Sequence, residues 1–158
     1  MDESAKKKTL LLFPSPVFVV GCANGESVHA FGGSWLGQCS FDPPLVWIGV
    51  KAGTRPVELI DKGGIFTVSV LRPDQKKTAT VFFKTPPALN GKFGEVPFTL
   101  SPLGAPVLAD CAGWVECRVI ERVAPGDHVL YFGEVVECEF CEETPVLTTV
   151  TSGWKYGG

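Results

Sequence analysis

Short runs of β-branched and aromatic residues, each closed off by Gly, Pro, Asn or Asp, recur along the chain and predict a mainly β fold. Six of these runs read as strands: 17–22, 45–51, 64–71, 113–123, 128–141 and 146–151. Two short helices are expected between them. The first covers 54–62, with Thr54 at its start, Pro56 in its first turn and Gly63-Gly64 at its stop. The second covers 74–83, capped by Asp74, with Thr78, Val81 and Phe82 on a partly apolar face. Residues 84–106 are rich in Pro and Gly but keep Leu89, Phe93 and Phe98, which predicts a packed excursion or lid rather than a linker. The element order has too few helices for a doubly wound sheet, so a closed or partly closed barrel of about six strands fits best.

Composition narrows this picture. The chain has 158 residues, 45% of them apolar and 20% charged, which is enough for one domain, 1–158, with a substantial core. The net charge of −3 and the lack of basic clusters beyond Lys6-Lys7-Lys8 and Lys76-Lys77 argue against nucleic acid as a partner. No stretch is long enough to predict a membrane span. The apolar run 10–20 follows three lysines and ends in Val19-Val20-Gly21-Cys22, the outline of a lipoprotein export signal. Asp2 and Glu3 put acid into its basic region, and Pro14 and Pro16 break the helix such a segment forms, so a cytoplasmic location is expected instead. The six cysteines are then expected to be reduced thiols. Cys138 and Cys141 have the spacing of a redox or zinc pair, but on a strand residues three apart point to opposite faces. Buried, inert thiols and no metal site are the expectation.

The densest chemistry lies in residues 29–51, HAFGGSWLGQCSFDPPLVWIGVK. Gly32-Gly33 allows close backbone approach to a ligand, while Ser34, Gln38 and Ser40 offer hydrogen-bonding groups and Trp35 an aromatic plane. Asp42-Pro43-Pro44 then opens an apolar strand. At its far end Lys51, Thr54 and Arg55 meet the N-terminus of the first predicted helix, a combination suited to phosphate. Pro125-Gly126-Asp127 is a turn that presents His128 at the start of a strand. Read singly, Trp35 and Trp47 are core residues, Lys51 and Arg55 a solvated rim, and His128 a strand-edge surface histidine.

Taken in order, PSPVFVVG at 14–21, SWLGQCSFDPPLVWIGV at 34–50, GIFTVSVL at 64–71 and GDHVLYFGEVVE at 126–137 resemble the flavin reductase-like family, and the likeness continues to Trp154-Lys155-Tyr156. The resemblance implies a homodimeric split β-barrel with Greek-key strand order that binds FMN, or alternatively FAD. It nominates Gly33, Ser34, Trp35, Gln38, Cys39 and Ser40 for the flavin ring and its arm, and Lys51, Thr54 and Arg55 for phosphate. It places His128 beside the flavin and the nicotinamide. Two departures stand out: Gly33 replaces the Asn that many members carry, and Cys39 replaces a small aliphatic residue.

The activity so implied is NAD(P)H-dependent reduction of flavin, the nicotinamide binding transiently because the chain lacks a Gly-x-Gly-x-x-Gly fingerprint. A monooxygenase or other electron-transfer protein would take the product electrons. One rival is a flavoredoxin-like carrier that holds FMN and exchanges electrons with a protein without oxidising NAD(P)H itself. The other is a barrel of this type that binds haem or another ligand.

Overall fold

The computed structural model describes residues 1–25 and 27–156, and its centre is an antiparallel sheet of seven strands. In chain order these are β1 (Phe18–Asn24), β2 (Ser27–Gly33), β3 (Leu36–Phe41), β4 (Pro44–Lys51) and β5 (Ile65–Val70), then, after a smaller sheet, β10 (Gly113–Val123) and β11 (His128–Phe140). The smaller sheet is made of β6 (Ala88–Leu89), β7 (Lys92–Phe93), β8 (Val96–Leu100) and β9 (Pro106–Leu108). The large sheet runs β2-β1-β5-β10-β11-β4-β3, so its two edge strands, β2 and β3, are neighbours in sequence. Only Ser34 and Trp35 join them, a connection that spans at most about 10 Å between Gly33 and Leu36. The sheet must therefore curl until its edges nearly meet. The outcome is a split barrel, left open between β2 and β3.

The apolar run at β1 is explained by burial on both faces. Phe18, Val20 and Cys22 point into the barrel with Ile48, Val50, Phe66, Val68, Val129 and Tyr131. Val17 and Val19 point outward and are covered by Leu71, Ala79, Phe82, Phe93 and Leu108. One barrel end is closed by α2 (Arg55–Gly63), which buries Val57, Leu59 and Ile60 and ends at Gly64 with φ of 68°. Tyr131 is fully buried and its hydroxyl donates to Asp61 at 2.7 Å, tying β11 to α2; Asp61 also accepts from Arg122 at 3.0 Å. A Tyr131→Phe variant removes that charge-assisted bond, so urea denaturation is expected to show a stability loss of about 2 kcal/mol.

Five of the six expected strands and both helical segments are present with ends shifted by one or two residues, the second segment split into two 3-10 turns around α3 (Lys76–Val81). The sixth, 146–151, is not a strand. Thr148 and Thr151 cap each other and wind the chain into α4 (Thr149–Ser152), leaving one bridge, Pro16 to Thr148. Strands β2 and β3 occupy the segment before Asp42 for which the sequence predicts ligand contacts but no strand. The excursion at 84–106 packs Phe93 and Phe98 ring on ring, at 4.6 Å, within the small sheet, and its Thr85 lines a cavity at the split. An N-terminal helix, α1 (Glu3–Leu10), capped by Asp2 and without buried residues, occupies the start of the supposed export signal. Among the described residues no helix is long and apolar enough to cross a membrane.

Candidate functional site

At the split, Ser34 and Trp35 separate two cavities. The first, of about 630 Å³, extends from Gly33, Ser34 and Trp35 toward Lys51 and Thr54, with Phe83, Trp154 and Tyr156 along its wall. The second, of about 700 Å³, lies on the other side of Trp35 against His128, Asp127 and Tyr156, and reaches the segment 13–16. Ser34, Trp35 and Tyr156 border both.

Trp35 owes its position to the barrel's closure. Its carbonyl accepts from Gly49 N–H on β4 at 2.9 Å, and its ring lies against Gly49, where even a methyl group would come within 3.1 Å. On its other side Trp35 packs on His128, with ring centroids 4.3 Å apart, and meets Tyr156 edge-on at 5.6 Å. Strand register places His128 directly opposite Lys51 on β4. The ladder is extended by one more bond, from Ala52 N–H to Asp127 carbonyl at 2.9 Å.

Among the described residues, one buried side-chain oxygen or nitrogen has no hydrogen-bond partner: the Ser34 hydroxyl. Ser34 is 7% exposed, and burying an unpaired hydroxyl costs about 1–3 kcal/mol. A polar atom orphaned at the wall between two cavities is suited to a ligand heteroatom. The cationic end of the first cavity has Lys51 and Lys155, with Thr54 at the mouth of α2. Thr54 hydroxyl already donates to Lys51 carbonyl at 2.7 Å, and Pro56 has no N–H, so the free donors at this helix start are the backbone N–H groups of Arg55 and Val57. Arg55 itself is paired with Glu58 at 3.1 Å and does not line the cavity. Its field reaches partly buried His29 on β2: burial first, and Arg55 second, hold that imidazole below its usual range.

Of the residues nominated from sequence, Gly33, Ser34, Trp35, Lys51, Thr54 and His128 come together around the cavities. Gln38, Cys39 and Ser40 do not line either cavity. They sit on edge strand β3 where a bulge between Gln38 and Ser40 turns the strand; Gln38 bonds Ser40 carbonyl at 3.1 Å and Cys39 faces Leu45 carbonyl at 3.7 Å. The reading missed His29, Phe31, Phe83, Lys155 and Tyr156 as wall residues. The available signal was the family resemblance, which continues to Trp154-Lys155-Tyr156.

The cysteines divide differently from expectation. Cys22, Cys111 and Cys117 are buried, and desolvation pushes their thiols up to about 12, 11 and 12. Cys39, on edge strand β3, is exposed, as are Cys138 and Cys141, where the chain of β11 runs past the end of β4.

An aromatic wall, an orphaned hydroxyl and a cationic end suit a planar, partly polar ligand with an anionic arm, and they match what the chain is similar to. Residues 10–155 match the model of the flavin reductase like domain. The chain is 32% identical over 139 residues to the NADH-dependent flavin reductase StyB of Pseudomonas fluorescens, covering 87% of this chain and 79% of that protein. It is 31% identical to a probable flavin reductase of Rhizobium meliloti, of which it spans only 44%. The solved styrene monooxygenase flavin reductase of Pseudomonas putida S12 superposes with a TM-score of 0.78 at 29% identity, over 97% of this chain and 96% of that one.

Proposed function

The chain belongs to the flavin reductase-like family, and we propose that it binds FMN across the split of the barrel and reduces it with NADH or NADPH. The observation that carries this reading is the Ser34 hydroxyl, buried without a partner beside Trp35 where the two cavities meet.

When bound, the flavin supplies the two-electron acceptor that takes hydride from a reduced nicotinamide. The protein's part is placement. Trp35 contributes to the aromatic wall of the first cavity, and Ser34 offers a donor for a ring heteroatom. Lys51, Lys155 and the open N–H groups of α2 attract a phosphate, and His128 stands at the opposite face of Trp35, where a nicotinamide can be oriented. FMN is preferred over FAD in this reading because a single anionic end is provided.

The reading extends to assembly and place. Large apolar side chains such as Phe41, 90% exposed, and Phe140, 77% exposed, form surface that a second copy would cover in a homodimer. A monooxygenase component is the natural consumer of the reduced flavin, and the cytoplasm, with its nicotinamide pool, the compartment.

The deciding experiment is an absorbance titration with FMN followed by anaerobic addition of NADH and then NADPH. Flavin bands that shift on binding and bleach with either nucleotide are expected; bound flavin that stays oxidised would replace the reductase with an electron carrier. Lys51→Ala should raise the FMN Kd about 10- to 100-fold, the loss of one charge-assisted contact, and leave riboflavin, which lacks the phosphate, unaffected. Equal losses for both ligands would remove Lys51 from the phosphate site.

A further inference from the structure

The Asp127, His128 and Tyr156 side chains form a chain of hydrogen bonds along the second cavity. Asp127 Oδ1 lies 2.9 Å from His128 Nδ1, and Tyr156 hydroxyl lies 3.1 Å from His128 Nε2. The imidazole is well shielded, 12% exposed at its side chain, and clamped by the Trp35 ring.

An ionised carboxylate accepts hydrogen bonds and cannot donate them. Asp127 is ionised at neutral pH, its carboxyl held below the usual range chiefly by its bond with His128. The proton between the two groups therefore sits on Nδ1. In the neutral imidazole Nε2 is then bare, and it is the Tyr156 hydroxyl that donates to it. Burial, with Asp127's charge second, keeps Tyr156 a protonated phenol able to do so.

We infer that Asp127 and Tyr156 are positioning residues for His128, Asp127 fixing the Nδ1–H tautomer and Tyr156 occupying the Nε2 acceptor until a substrate N–H takes its place. A group with that preference is the primary amide of a reduced nicotinamide, and this last step rests on the reductase reading. The C-terminal Trp154–Tyr156 segment thereby contributes to substrate selection. It is anchored: the Trp154 ring centroid stands 4.8 Å from that of Phe83, and Lys76 Nζ lies 5.2 Å from the Trp154 ring centroid.

The tautomer is tested on flavin-free protein by long-range proton–nitrogen NMR of 15N-histidine, which the presence of only two histidines keeps simple. His128 is expected as Nδ1–H with a bare Nε2. In Asp127→Asn the amide donates to Nδ1 and forces the proton to Nε2, a reversal of tautomer with the geometry kept. Nε2–H in the parent protein would overturn the inference. Kinetics then test its use: Asp127→Asn should lower kcat for NADH about tenfold with FMN affinity unchanged, and Tyr156→Phe should lower the NADH KM about threefold at saturating FMN. In a His128→Ala background neither substitution should have any further effect. Undiminished effects in that background would mean a structural role and refute positioning through His128. If the parent shows the Nδ1–H tautomer but no nicotinamide bleaches its flavin, the lock stands and the reductase reading fails.

Discussion

His128→Ala is expected to reduce bound FMN about 100-fold more slowly with NADH than the parent protein, while the FMN Kd moves by less than about twofold. The imidazole is held on three sides, by Asp127, Tyr156 and the Trp35 ring, which is more constraint than a surface histidine receives. That constraint has a use if the ring orients a transient partner, because losing a positioned contact at a reacting centre costs on the order of 100-fold in rate. Flavin affinity should survive because Ser34, Lys51 and the start of α2 are left intact on the far side of Trp35. Stopped-flow bleaching at saturating NADH and an independent FMN titration separate the two quantities. A variant that keeps its full rate would return His128 to the role of a strand-edge residue.

Gly21→Ala should cost about 3–5 kcal/mol of stability, enough to leave much of the protein unfolded. Gly21 is at the middle of β1, and a methyl group there would fall 1.9 Å from Pro106 carbonyl oxygen and 2.4 Å from Thr67 Oγ1. Those two atoms are themselves hydrogen-bonded at 2.5 Å, the link that fastens β9 to the outer face of β1 and β5. Relief requires β9 to move away, which breaks that buried bond and opens the apolar contacts of Val107 and Leu108. Gly126→Ala is the control: a methyl group there meets nothing within 4 Å, and its stability should stay within about 0.5 kcal/mol of the parent. A loss under about 1 kcal/mol for Gly21→Ala would show that the small sheet is not seated as described.

The strands that sequence reasoning recovers are those buried on one or both faces. β1, β4, β5 and β11 are dense in Val, Ile and Phe because they build the barrel wall, and that density is visible in the chain itself. β2 and β3 escape for the same reason in reverse. They are edge strands with small and polar residues, and Gly32 and Gly33 are required where the Phe83 and Phe18 rings approach within 3.2 and 2.9 Å of the position a Cβ would take. Such glycines read as a loop. The segment 146–151 fails differently: its β-branched residues predict a strand, but mutual capping by Thr148 and Thr151 wins locally.

The candidate site divides along the same line. Its local parts follow from neighbouring residues: the Ser34-Trp35 pair, the Gly-Asp-His turn, and Lys51 with the α2 start, each of which needs only a strand end or a helix end to take its place. Gln38, Cys39 and Ser40 were nominated by the family resemblance, and they lie on the bulged edge strand β3, outside the lining of both cavities. His29, Phe83 and Tyr156 come from parts of the chain far apart in sequence, and they share a cavity with Trp35 only because the sheet curls until β2 and β3 nearly touch. Periodicity and near neighbours are enough to set a β-rich chain, its apolar wall and the chemistry available at the ends of its strands. The tertiary structure alone decided which of those groups share a cavity, because closure of the barrel is a long-range pairing that no local pattern encodes.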